Sequence, residues 1–171
     1  TVQHTISHWK NDGLSPEKTR ALASDSQSII AANAYVEYDR YLKVCNAVDF
    51  DDLILRPIEL FRAKPDLLAK WQSRIRYFLV DEYQDTNGIQ YELVKLLTQT
   101  SGALTIVGDD DQSIYAWRGA RPENLNELSV DFPTLKVIKL EQNYRSTRVI
   151  LETANTLIAN NPHIFEKILL S

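Results

Sequence analysis

Apolar residues recur at helical spacing through the first part of the chain, and each recurrence follows a residue that favours a helix start. Ser15 precedes a proline, which suits the first helical turn because its missing N–H costs nothing there. Further helices are expected after Asp25, from Asp51 and from Pro65. Pro57 falls inside the third of these patterns and predicts a kink or a break in that helix. The pattern therefore predicts an α-helical segment before position 75.

After position 75 the pattern changes to short continuous apolar runs separated by helical stretches. Such runs are typical of strands buried on both faces of a sheet, and they lie at 77–80, 103–107 and 135–140. Helices are expected between and after them, at 88–100, 122–130 and 147–160. Alternating strands and helices imply right-handed crossovers and a parallel sheet. The predicted fold class is α/β, a parallel sheet with flanking helices, preceded by the α-helical segment.

Composition supports a folded, soluble chain and leaves nucleic-acid binding to local groups. The 171 residues are 44% hydrophobic and 25% charged, as in ordinary globular proteins. No apolar run reaches the roughly 18 residues of a membrane-spanning helix, and the single cysteine fits a reducing compartment, so a cytoplasmic protein is expected. With a net charge of -4, any contact with DNA must come from local groups. Because Met is absent and both termini lack natural end signals, we expect a fragment of a longer protein.

Three carboxylates follow the first predicted strand. Asp81 and Glu82 are adjacent and take different directions, so one can hold Mg²⁺ while the other accepts a proton from an attacking water. This edge of a parallel sheet, beyond the carboxyl ends of its strands, is where ligands bind. The alternative is structural: Asp85 or Thr86 caps the next helix, and the first two acids are merely solvated.

The second predicted strand also ends in a polar loop, which continues into aromatic residues. Its three consecutive aspartates, 109–111, repel one another unless a cation, backbone donors or exposure compensates them. Tyr115, Trp117 and Arg118 follow, and two aromatic rings with a guanidinium can stack on unpaired bases, worth about 1–3 kcal/mol per base. The alternative is that Trp117 anchors the core and Arg118 pairs with an aspartate.

A third polar stretch, 140–147, follows the last predicted strand and opens the last helix. Tyr144 and Arg145 there combine a stacking face with a phosphate-binding fork. The alternative is a helix capped by Ser146 beside a surface arginine. The sequence contains no G-x-x-x-x-G-K-[ST] loop, so nothing evident cradles the β- and γ-phosphates of a nucleotide.

Taken in order, these strings resemble the superfamily 1 DNA helicases of the Rep/UvrD/PcrA type. The strings are VDFDDLIL at 48–55, DEYQDTN at 81–87, GDDDQSIYAWRGA at 108–120 and LEQNYRS at 140–146. The resemblance implies a partial P-loop NTPase core of the RecA-like motor type. It divides the chain into the helical end of an inserted subdomain (1–47), the second part of the first motor domain (48–134) and the start of the second motor domain (135–171).

For the nucleotide, the resemblance implies ATP and Mg²⁺ as cofactors. Asp81 is expected to bind the Mg²⁺ of Mg-ATP, Glu82 to activate water as general base and Gln112 to contact the γ-phosphate. Tyr144 is expected to lie against the adenine. Arg145 is expected to reach the γ-phosphate as an arginine finger, a device worth roughly 10³–10⁵ in rate in related NTPases.

For the nucleic acid, the resemblance implies contacts from Tyr115 and Trp117 to the bases of a single strand, with Arg118 nearby. The expected function is ATP-driven movement on single-stranded DNA with unwinding of duplexes at junctions, with replication or repair proteins as possible partners. The isolated chain is expected to be inactive, since the Walker A loop is absent from it.

Two alternative functions remain open from the sequence. One is a non-catalytic module, derived from a helicase, that binds single-stranded DNA or protein. The other is a metal-dependent nuclease using Asp81, Glu82, Asp85 and the aspartates of 109–111, which requires that these carboxylates converge within about 4 Å of shared ions.

Overall fold

The computed structural model describes residues 1–165 and 167–170 of the chain. Positions 166 and 171, which belong to the predicted third segment, lie outside the described residues. The helices are α1 (Val2–Asn11), α2 (Pro16–Leu22), α3 (Ser26–Val44), α4 (Asp52–Ala63), α5 (Pro65–Arg74), α6 (Gly88–Thr98), α7 (Asn124–Asp131) and α8 (Arg148–Ile158). The strands are β1 (Phe78–Val80) and β2 (Leu104–Ile106), and short 3₁₀ turns lie at Tyr83–Asp85, Asp110–Gln112 and Ala116–Arg118.

Two of the predicted helix starts, at Ser15 and after Asp25, are confirmed by their caps. Ser15 Oγ accepts the N–H of Lys18 at 3.3 Å, and Asp25 caps α3 by accepting the N–H groups of Gln27 and Ser28. The break expected at Pro57 is wrong, because α4 continues through it. Pro57 removes one backbone donor, and the rest of the helix is held by its buried apolar side.

The sheet consists of two parallel strands joined through α6. Phe78 pairs with Leu104 and Val80 with Ile106, as predicted for a strand–helix–strand unit. The prediction that both runs are buried on two faces is wrong, since Leu79 is 72% exposed and the residues of β2 are only half-buried. A two-stranded sheet establishes a mixed α/β structure without distinguishing a RecA-like core from other α/β folds.

The third predicted strand, 135–140, is wrong. This stretch has no regular structure, and the one isolated bridge among the described residues lies beyond it, between Gln142 and Leu170. Val137, Ile138 and Leu140 are exposed. An apolar run becomes a strand only when a partner strand lies beside it. No strand among the described residues fills that position.

Helix α6 lies between two apolar clusters. On one side Tyr91 packs with Tyr83, Leu125 and Leu128, together with residues of both strands. On the other side Ile89 packs with α4, where the partners are Leu55 and Ile58. The helix therefore fixes the sheet edge relative to the helical segment.

A buried ion-pair network joins the first 47 residues to the rest. The Lys10 ammonium is fully buried, 2.7 Å from Asp49 Oδ2 and 3.0 Å from Asp52 Oδ1. Arg56 continues the network from Asp52 to Asp39 on α3. Charges this deeply buried are stable only when paired, so these contacts hold α1, α3 and α4 together.

No helix in the described part of the chain combines the length and apolar character needed to cross a membrane.

Candidate functional site

The first acidic loop turns sharply at the end of β1. Glu82 has a φ of 50°, a left-handed conformation uncommon for a residue with a side chain and often found at functional sites. Its N–H donates to Asp81 Oδ1 at 2.9 Å, and both carboxylates are exposed. The next residue, Tyr83, is fully buried and its N–H bonds the carbonyl of Val107. The turn thus presents two acids to solvent from a rigid base.

Gln84 connects this loop to the end of β2. Its side-chain amide nitrogen donates to Glu82 Oε2 at 2.8 Å, and its oxygen accepts the N–H of Asp109 at 3.0 Å. The residue is only 1% exposed. Gly108 leaves room for it, since a Cβ there would lie 3.1 Å from Gln84 Oε1. Gln84 is not among the site residues predicted from the sequence, although a glutamine set between acids is the kind of residue that can bridge them.

Asp109 extends the connection to Gln112. Gln112 Nε2 donates to Asp109 Oδ2 at 2.7 Å, and the rest of Gln112 is exposed. Burial raises the pKa of Asp109, but hydrogen bonds from Lys167 and Gln112 outweigh it and leave this pKa below its ordinary value. We call Glu82, Gln84, Asp109 and Gln112 the polar bridge. It runs from Glu82, which is expected to act as general base, to Gln112, which is expected to contact the γ-phosphate.

The aspartates of 109–111 are compensated by the end of the chain. Lys167 Nζ contacts all three, at 3.5 Å from Asp110 and 3.0 Å from Asp111, with its closest contact to Asp109. The backbone N–H of Ile164 donates to Asp110 Oδ2 at 2.6 Å, and His163 Nδ1 lies 2.8 Å from Asp111 Oδ1. The repulsion expected from the sequence is therefore relieved by a cation and by backbone donors.

A groove of about 730 Å³ lies beside the second half of the same loop. Trp117 is 64% exposed there, so its alternative role as a core anchor is wrong. Arg118 makes no ion pair with an aspartate in the described chain. Its guanidinium lies 4.6 Å from the Trp117 ring centre and 5.4 Å from that of Tyr115. The groove thus presents two rings and a cation on one side.

The opposite side of the groove comes from distant parts of the sequence. Phe50 is 89% exposed and contributes a third ring. From the sequence, Phe50 was identified only as part of the string at 48–55. One face of α1 completes that side. We call the whole cavity the aromatic groove, and its lining residues are His4, Ser7, His8, Asn11, Phe50, Asp51, Asp85, Asn87, Gln90 and Tyr115–Gly119.

Side-chain amides connect the first acidic loop with the groove. Asn87 caps α6 and also donates to Asn11 Oδ1 at 2.6 Å. Asn11 in turn donates to Asp51 Oδ1 at 3.3 Å. The helix after the acidic loop is therefore capped by Asn87, and the cap predicted at Asp85 or Thr86 is wrong. This cap residue lies against the groove-facing side of α1.

The structure does not bring Tyr144 and Arg145 to the acidic loops. Tyr144 is 92% exposed, and the turn is held by Asn143, whose side-chain oxygen accepts the N–H groups of Arg145 and Ser146. The N-cap of α8 is Thr147, so the predicted cap at Ser146 is wrong. Over 1–165 and 167–170, no hydrogen bond or ion pair joins Arg145 to a residue of the polar bridge.

Comparison with known proteins shows one consistent family. Residues 1–133 match the family described as UvrD/REP helicase N-terminal domain. The chain is 60% identical over 98% of its length to the ATP-dependent DNA helicase Rep of Escherichia coli (strain K12), of which it covers 25%. It is 52% identical over 97% of its length to Rep of Buchnera aphidicola subsp. Acyrthosiphon pisum (strain APS), of which it covers 26%. It is 47% identical over 94% of its length to the ATP-dependent DNA helicase PcrA of Leuconostoc citreum, of which it covers 22%. The chain therefore spans about a quarter of the length of the curated relatives it matches.

Proposed function

The chain belongs to the UvrD/REP helicase N-terminal domain family, and from that premise we propose that it is part of a Rep-type ATP-dependent DNA helicase. Such a protein couples ATP hydrolysis to movement along single-stranded DNA and to separation of duplexes at junctions. Its partners include DNA and ATP, with replication or repair proteins as further candidates. A cytoplasmic location is part of the same proposal. The identity of 60% to a Rep helicase over nearly the whole chain supports this assignment.

Within that protein, 48–134 forms part of a RecA-like first motor domain, 135–171 begins the second, and 1–47 ends an inserted subdomain. The parallel pair of strands joined through α6 supports the first of these assignments. The ion pairs of Lys10 with Asp49 and Asp52 cross the proposed boundary at 47, so the inserted segment is attached rigidly to the motor.

The nucleotide site uses the exposed carboxylates at the end of β1. Asp81 holds the Mg²⁺ of Mg-ATP and Glu82 accepts the proton of the attacking water, because adjacent exposed acids at a sheet edge suit both tasks. The metal ion, when bound, neutralises charge on the phosphates. Gln84 orients the Glu82 carboxylate through its hydrogen bond.

Residues outside the polar bridge complete this site only when the motor domains close on ATP. Tyr144 then lies against the adenine and Arg145 reaches the γ-phosphate, whose position Gln112 also senses. The side chains of Tyr144 and Arg145 are both exposed on the turn before α8, which leaves them free to take these positions. Closure on ATP and release after hydrolysis are common in two-domain nucleotide enzymes.

The DNA site is the aromatic groove. Tyr115 and Trp117 stack on bases from one side and Phe50 from the other, while Arg118 supplies positive charge. Stacking needs no basic protein, which reconciles DNA binding with the net charge of -4.

One observation carries the proposal. A single loop, 108–120, contains Asp109 and Gln112 of the polar bridge and then the rings of the aromatic groove. A change at the phosphate sensor is therefore passed to the DNA contacts through a few covalently linked residues. No separate signalling element is needed.

The DNA half of the proposal is tested by fluorescence anisotropy with a labelled thymidine oligonucleotide. The chain binds weakly and with strong salt dependence, and Trp117→Ala lowers the affinity about 5- to 150-fold, corresponding to one lost stack. Trp71→Ala is the matched control, because Trp71 is also exposed but lies on α5 outside the groove. Equal affinities of the two variants would contradict the assignment.

The nucleotide half is tested by steady-state phosphate release. The 171 residues alone release no phosphate from ATP, since their sequence has no Walker A loop. In a longer protein that carries such a loop, Glu82→Gln lowers kcat about 10²- to 10⁴-fold while Mg-ATP still binds. Phosphate release by the isolated chain that Glu82→Gln abolishes would show the prediction to be wrong.

A further inference from the structure

The aromatic groove has a polar side that the proposed function leaves unused. His4, Ser7, His8 and Asn11 on α1 all line it, and their spacing places them on one face of the helix. The buried residues of α1, Ile6 and Lys10, lie elsewhere around the helix and carry its packing. Of the groove-facing side chains, Asn11 is held by Asn87 and Asp51, whereas both histidines are exposed.

The charges that line the groove do not suit a polyanion at neutral pH. Arg118 is the one permanent cation among its described lining residues, and its guanidinium is stacked on aromatic rings. Asp51 and Asp85 line the same groove and oppose a phosphate backbone. A single DNA strand whose bases stack on the rings also needs a binding site for its phosphates. Helix α1 lies on the side of the groove that faces the rings.

We propose that His4 and His8 bind the phosphate backbone of the single strand as imidazolium ions, so that affinity for the strand rises as the pH falls from 8 to 6. This inference rests on the groove being the DNA site. The two imidazoles lie one helical turn apart on the same face, about 6 Å along the helix axis. Histidine is the side chain whose charge ordinarily changes in this pH range.

Several charged or titratable groups lie around the two histidines, beginning with the α-amino group of Thr1 at the start of α1. Asp12 lies at the end of α1, with Oδ2 3.8 Å from His8 Nδ1. Other ionisable groups face the histidines from the start of α4, from the first 3₁₀ turn and from the aromatic loop, namely Asp51, Asp85, Tyr115 and Arg118. Behind α1, Lys10 is paired with Asp49 and Asp52.

The test measures affinity and its salt dependence at pH 6 and pH 8 with the 171-residue chain and a labelled thymidine oligonucleotide, whose bases carry no charge at either pH. The wild-type chain binds more tightly at pH 6. The slope of log K against log salt steepens by about 0.7 for each new phosphate contact, so by about 1.4 for two. Equal affinity and equal slope at the two pH values would overturn the inference.

Three variants identify the source of any pH effect. The double variant His4→Asn/His8→Asn binds with the same affinity at both pH values, whereas His163→Asn keeps the wild-type ratio because His163 lies outside the groove. Retained pH dependence in the double variant, or its loss in His163→Asn, overturns the inference.

Trp117→Ala separates the two proposals. If it weakens binding while the double variant behaves as wild type, only the histidine assignment fails; if it leaves binding intact at both pH values, the groove assignment fails.

Discussion

Replacing Lys10 with Met removes the charge at the centre of the buried network and keeps the length of the side chain. The Lys10 ammonium is completely shielded from solvent and lies 2.7 Å from Asp49 and 3.0 Å from Asp52. Asp52 is itself only 1% exposed. Lys10→Met therefore leaves two carboxylates in the protein without their shared cation.

The expected loss follows from what remains around these acids. Removing one partner of a buried pair costs about 3–5 kcal/mol. Arg56 Nε still lies 3.2 Å from Asp52, and the Asp49 side chain is 20% exposed, so the loss falls at the lower end. A decrease of about 3 kcal/mol in the free energy of unfolding lowers the Tm of a chain of this size by about 6–12 °C.

Urea and thermal unfolding, followed by circular dichroism at pH 7, measure this loss. Lys43→Met is the matched control, because the same chemical change removes an ion pair to Asp39 at 2.6 Å from a lysine that is 66% exposed. That pair is worth less than about 1 kcal/mol. If Lys10→Met and Lys43→Met destabilise the chain equally, burial does not set the strength of the network and the reasoning is wrong.

Acidification gives an independent check on the same network. Burial raises the pKa of Asp49, but hydrogen bonds from Lys10, the Asp52 N–H and Tyr38 outweigh it and leave the pKa lowered. A lowered pKa means that the unfolded chain binds the proton first. The stabilisation is therefore complete above the ordinary value of about 3.9 and is lost as the pH falls through the lowered value. Lys10→Met weakens this effect, so the two proteins converge in stability in acid.

Two further substitutions test the scaffold of the site by urea unfolding. Gly108→Ala lowers the free energy of unfolding by about 1–3 kcal/mol, because the new Cβ lies 3.1 Å from Gln84 Oε1 in a tightly filled space; an unchanged midpoint would show that the loop moves aside freely. Asn124→Ala costs about 1–3 kcal/mol, since the buried Asn124 amide donates to the carbonyl of Thr86 at 3.1 Å. Asn126→Ala on the exposed side of the same helix stays within about 0.5 kcal/mol, and a similar loss in both variants would contradict the role of that amide.

Features that depend on local chemistry were predictable from the sequence. Ser15, Asp25 and Pro65 mark helix starts because capping and the proline ring act on the first turn alone. The strand prediction at 135–140 is wrong because pairing depends on a neighbouring strand that the local pattern does not contain.

The candidate site also has parts that could be predicted from the sequence and parts that could not. That the loops after β1 and β2 meet follows from the parallel pairing of these strands, and it is this pairing that the sequence predicted. The buried bridge through Gln84 could not be derived, because burial of a polar side chain depends on a partner 25 positions away, at Asp109. The aromatic groove is even harder to predict from the sequence. Phe50 and the α1 face become neighbours of Trp117 only after three distant segments have packed together.

The distribution of charge at the sheet edge separates a nucleotide motor from a nuclease that uses every acid there. The aspartates of 109–111 already share the Lys167 ammonium and accept backbone N–H groups, so a second cation among them must displace the first. In the described chain, no cationic group contacts the carboxylate of Asp81 or Glu82. The Asp81 carboxylate accepts the N–H of Glu82, and the Glu82 carboxylate accepts a hydrogen bond from the Gln84 amide. A divalent ion is stabilised most where negative charge is uncompensated and accessible. Asp81 and Glu82, which the helicase proposal requires, are therefore accessible to Mg²⁺, whereas the aspartates of 109–111 that a two-metal nuclease would add are already paired with Lys167.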